Sequence, residues 1–120
     1  MTALGYYQSS LDLHKKINLP LFHGLTLLNA GFALKDQAWF DEALSSFNAG
    51  LKKLKGDDNA EARAVAYVGL CEVFSKKGEL NDAFKSCSVA LQLYRKLRRS
   101  PGEAITLDLI RSVYASAGTA

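Results

Sequence analysis

The chain is 120 residues long, 48% hydrophobic and 22% charged, with a formal net charge of +3, which is ordinary globular material for one compact unit and argues against a second independent domain. No apolar run approaches the roughly 18 residues of a membrane-spanning helix, and the opening MTALGYYQSS lacks the basic and apolar regions of a secretory leader. The expectation is a cytoplasmic protein without membrane insertion.

Helical periodicity governs nearly the whole chain, and no segment alternates with a period of two. The first predicted helix covers about 2–17 and stops at Asn18-Leu19-Pro20; the second, 20–36, begins on Pro20, where a first-turn proline forfeits no intrahelical bond. DQAW, Asp36 to Trp39, separates it from a third helix over 40–54, and KGDDN, Lys55 to Asn59, leads into a fourth over 59–76. Lys76-Lys77-Gly78 closes that helix. The fifth spans 80–98 and carries Leu80, Ala83, Phe84, Cys87, Ala90 and Leu91 on one face. RSPG, Arg99 to Gly102, introduces a sixth over 101–117, with Pro101 again in a first turn.

These helices fall into copies. Ala43 and Ala83 lie 40 residues apart, and the same step back lands on Ala3. In one helix type Tyr7, Phe47 and Cys87 align, as do Ser10, Gly50 and Ala90, then Leu11, Leu51 and Leu91. In the other, Leu27, Tyr67 and Leu107 align, then Leu34, Phe74 and Tyr114, then Ala38, Gly78 and Gly118 at the turn. The register divides one domain, 1–120, into a second helix of a partial repeat (1–18), two whole repeats (20–56 and 58–98) and a first helix of a further partial repeat (101–120).

Through Tyr67, Leu70, Phe74, Gly78, Ala83, Ala90 and Leu91, and through Leu27, Gly31, Leu34, Phe40, Ala43, Phe47 and Leu51, the chain resembles the tetratricopeptide repeat family. The 40-residue period and the linker KLRRSPGEA are most similar to the extended repeats of kinesin light chains and spindle-orientation adaptors. The resemblance implies an all-α fold of antiparallel helix pairs stacked as a right-handed superhelix, an alpha solenoid of about six helices. It also implies a scaffold or adaptor that binds another protein and performs no chemistry. Close crossings are expected where Gly31 faces Ala43 and Cys71 faces Ala83, with Phe47, Phe74 and Leu91 buried. Arg111 occupies the small-residue place of the last helix and is expected to reach solvent.

In that family the inner, concave surface receives ligand segments. Here the matching positions show a second apolar row, Leu25, Leu28 and Phe32, with counterparts Val65, Val68 and Glu72, then Ile105, Leu109 and Ser112. A helix apolar on two faces buries both or offers one to a partner, so these residues either anchor a ligand or pack between repeats. On the first alternative the ligand is an amphipathic helix or an apolar-anchored extended segment, its register fixed by Asn29, Glu72, Asp108 and Ser112. The Lys, Asn and Arg that grip a terminal carboxylate in chaperone-binding relatives are replaced by Leu28, Phe32, Gly69, Ile105 and Leu109, so that ligand is not expected. A purely structural segment of a longer array, or a module that self-associates through open repeat ends, is the alternative reading.

Positive charge closes three second-type helices: HKK at 14–16, KKLK at 52–55 and RKLRR at 95–99. Cations at helix C-termini interact favourably with the macrodipole; the other reading is an anionic-ligand edge of Arg95, Lys96, Arg98 and Arg99. Nucleic acid is not expected, because aromatic residues do not interleave with these charges. His14 and His23 have no ligand-spaced partners, and no phosphate loop or nucleophile set exists, so neither metal nor cofactor is expected. Cys71 and Cys87 do not make a disulfide framework and are expected as buried reduced thiols on one helix pair.

Overall fold

The computed structural model describes residues 3–56 and 59–118, with 3–18 as backbone only, and every regular element among them is an α-helix. The order is α1 (Ala3–Asp36), α2 (Phe40–Lys53), α3 (Ala60–Lys77), α4 (Leu80–Leu97) and α5 (Ser100–Gly118). The last four match the periodicity to within about two residues, the usual fraying of helix ends.

Five helices replace the expected six because Asn18-Leu19-Pro20 ends nothing: α1 runs through Pro20 without a break. Proline fixes φ near the helical value, so a helix can cross it, at a cost of about 3 kcal/mol for the lost N–H and the crowded carbonyl one turn earlier. The segment expected to double back as a separate helix therefore prolongs α1. Proline in α5 behaves as expected, second residue of the helix, where no bond is lost.

Three helices end on one device. After α1, Trp39 N–H donates to the Leu34 carbonyl at 2.9 Å; after α3, Glu79 N–H donates to Phe74 at 2.9 Å; after α4, Arg99 N–H donates to Tyr94 at 2.9 Å. Each needs a left-handed residue just before the donor, supplied by Ala38 (φ 63), Gly78 (φ 79) and Arg98 (φ 56). Gly78 takes that conformation freely. Ala38 and Arg98 take it against a Cβ clash of about 1–2 kcal/mol.

The helices pack as antiparallel neighbours, and α3 touches all four others. Phe47 is the central knob: wholly buried, it lies against Gly31 of α1 and Gly69 of α3, where a Cβ would come within 2.8 Å and within 3.0 Å, respectively, of ring atoms. The expectation that Gly31 faces Ala43 is thus corrected. The small residue accommodates the phenylalanine one turn further along α2, because α1 and α2 pair in the register Gly31–Phe47 and Gly24–Leu54. Ala43 and Ala83 are both fully buried, while Phe74 and Leu91 are half-buried at the rim.

One repeat further on, the residues equivalent to Gly31 and Phe47 are Cys71 and Cys87, and they are joined by a disulfide with their Cα atoms 5.4 Å apart. The expected reduced thiols are corrected accordingly, since no described cysteine is free. Where the first repeat fills the crossing of its two helices with a ring in a glycine slot, the second spans it with a covalent bond. Val113 of α5 closes over that bond in a cluster with Cys71, Ala83 and Cys87.

Candidate interaction surface

The equivalent first-type helix segments are the C-terminal half of α1, α3 and α5, and α3 contacts both others. Their matched positions sort the expected inner-face residues. Leu25, Val65 and Ile105 share one register: Leu25 is 42% exposed, Val65 is half-buried and Ile105 is 57% exposed. All three are apolar, and the outer two stand open.

The next register behaves differently. Leu28 is only 2% exposed and presses on α2, where a Cβ at Gly50 would sit 2.8 Å from its Cδ2 atom. Val68 is buried with Ala64, Ala90 and Tyr94 against α4. Leu28 and Val68 belong to the packing within repeats and are not available as ligand anchors. Asp108, at the same register of α5, is exposed and accepts a 3.2 Å hydrogen bond from Arg111, which reaches solvent as expected. Leu109 is half-buried where α3, α4 and α5 meet. Asn29 and Ser112 are exposed.

Phe32 and Glu72, expected as anchor and register-fixing acceptor, are tied into the molecule. The Phe32 ring meets Phe47 edge-on with centroids 4.9 Å apart. Lys35, on the same side of α1, holds its ammonium 5.3 Å from the Phe32 centroid and donates to Glu72 Oε2 at 2.6 Å. Lys35 and Glu72 are 14% and 26% exposed, so this ion pair ties α1 to α3 largely out of water. Lys35 escaped notice in the sequence, although a cation three residues after Phe32 shares its face. Trp39 and Tyr114, 56% and 64% exposed, were also missed as surface aromatics; Tyr114 packs its ring 4.6 Å from Phe84.

The basic edge is partly neutralised from within. Arg95 donates to Glu103 at 2.9 Å and Arg99 lies 3.7 Å from Glu61, while Lys96 and Arg98 are exposed and make no ion pair among the described residues. Glu61 also acts on Tyr94: burial pushes that phenol above its ordinary range, and the nearby carboxylate adds to the effect. The expected third cluster at 14–16 lies outside the described side chains. Among the described residues no group of three or more His, Cys, Asp or Glu gathers around a metal-sized site, and no helix is long and apolar enough to cross a membrane.

Comparison with family models, with curated proteins and with solved structures gives no match.

Proposed function

We propose that the chain is a non-enzymatic interaction module of tetratricopeptide type, its helix pairs stacked as a short right-handed solenoid. Its ligand is a segment of another protein laid across α1, α3 and α5. The observation that carries this reading is the register Leu25, Val65 and Ile105: apolar in all three first-type helices and open at both ends of the row. Repetition of an apolar residue at one register, exposed on α1 and α5, supports an extended or helical ligand with regularly spaced anchors, rather than a small molecule in a closed cavity. Asn29, Asp108 and Ser112 flank the row and supply polar contacts. Placing a photoreactive amino acid at Leu25 or Ile105 tests this directly, because either position should label the bound segment and one at Lys96 should not.

The basic edge is the weaker alternative, since two of its four cations already face carboxylates of the chain itself. The Cys71–Cys87 bond favours an oxidising compartment over the cytoplasm, where thiols are kept reduced. Recovery of the bond in protein isolated under thiol-blocking conditions is the corresponding test.

A further inference from the structure

Each first-type helix has a face by which it packs on the second-type helix before it. On α3 that face holds Ala66, Gly69 and Val73, buried with Phe47 and Leu54 of α2. On α5 it holds Gly102, closely apposed to Tyr94 of α4, together with the buried Thr106 and Val113. The equivalent residues of α1, one or two 40-residue steps earlier, include Thr26, Asn29 and Ala33, and all are exposed. Thr26 and Thr106 make the comparison sharpest. Both hydroxyls donate to the carbonyl four residues back in their own helix, at 2.9 Å to Phe22 and 2.8 Å to Gly102. That leaves each methyl group to pack, yet Thr106 is wholly buried and Thr26 is exposed.

What belongs on α1 is a second-type helix, and the chain carries one in sequence. Residues 3–17 have the second-type register, Ala3, Tyr7, Ser10 and Leu11 matching Ala43, Phe47, Gly50 and Leu51. They cannot cover the C-terminal half of their own α1, because they continue the same helix through Pro20. We propose that two copies of this chain pair their α1 helices antiparallel, each copy laying residues 3–17 on the Thr26–Ala33 face of the other.

The repeat fixes the alignment. The observed apposition of Phe47 with Gly69, moved back one repeat, sets Tyr7 against Asn29; that of Tyr94 with Gly102, moved back two, sets His14 against Phe22. Both pairs are symmetric about Asn18. A two-fold axis there satisfies both copies at once, as an isologous dimer requires. Asn29 of this surface lies only about 40° around α1 from Leu25, given roughly 100° per residue, so the pairing borders the ligand row proposed above and shares Asn29 with it.

Sedimentation velocity on the full chain is expected to give twice the chain mass at micromolar concentrations. Thr26→Glu with Ala33→Glu should halve it while retaining the helical signal. A monomer mass for the unaltered chain at every concentration, or a dimer that survives both substitutions, overturns the proposal. Should the double variant lose its helical signal, Ser10→Cys with Thr26→Cys decides: these positions face each other across the proposed axis, and oxidation should yield a covalent two-chain species. A link closed within one chain would show that 3–17 folds back on its own α1, and would overturn the exchange.

Discussion

Lys35 and Glu72 meet at 2.6 Å between α1 and α3. The pair is mostly withdrawn from water, and it joins two repeats that otherwise meet chiefly through α2. Removing one member leaves the other charge short of a partner in a partly desolvated site. Glu72→Gln should therefore lower stability by about 1–3 kcal/mol, read as a shift in the denaturant midpoint, and Lys35→Met with Glu72→Leu should recover most of the loss.

Leu28 and Leu25 should respond in opposite ways. Leu28→Ala opens a cavity against Gly50 and should cost about 2–5 kcal/mol, and Leu28→Glu should unfold the α1–α2 pair, because a buried carboxylate there has no partner. Leu25→Glu should change the melting curve little, as surface substitutions typically stay within about 0.5 kcal/mol. Far-UV circular dichroism during thermal melting checks both.

The bond between Cys71 and Cys87, 16 residues apart in sequence, restricts the unfolded chain. Cys71→Ser with Cys87→Ser, or reduction of the unaltered protein, should lower stability by about 3 kcal/mol on the loop-entropy model. Hydrogen exchange should quicken first in α5, whose Val113 rests on the bridge.

Tyr94 gives the fold an alkaline limit. Its pKa is raised, first by burial and then by Glu61, so the folded state holds the phenolic proton more tightly than the unfolded chain does. This contribution is present below the unfolded value of about 10 and is lost as pH climbs through the folded value. The tyrosinate titration difference between the unaltered protein and Tyr94→Phe should show a phenol ionising above pH 10. Stability should fall less steeply in alkali for the variant.

Much of this was legible because turn chemistry and periodicity are local. DQAW and KKG end helices through a left-handed residue that the sequence positions directly, and Ala43, Phe47, Ala83 and Ala90 are wholly buried as their stripe implies. Periodicity names a face without naming what covers it, which is why Leu28 was read with Leu25 and Phe32. A finer signal was present, since Leu28 lies between Gly24 and Gly31 on the stripe that packs against α2. Pro20 misled because a first-turn proline and an interior proline look alike when flanking residues both favour helix. Cys71 and Cys87 fall inside one helix pair, but each reads as a small buried apolar residue, which hid the disulfide. The 40-residue step that aligns Gly31 with Cys71 also aligns Phe47 with Cys87, so one contact in the first repeat specified the other.

The most direct test of the proposed ligand row compares three forms of the full chain as bait: unaltered, Leu25→Glu with Ile105→Glu, and Lys96→Gln with Arg98→Gln. Each is checked for unchanged helical content, and recovered proteins are quantified by mass spectrometry. Losing two exposed apolar anchors at more than about 1 kcal/mol each should weaken binding at least tenfold. The account predicts a partner recovered by the unaltered chain and the Gln form and lost from the Glu form. Equal recovery by all three, or loss from the Gln form alone, would contradict it.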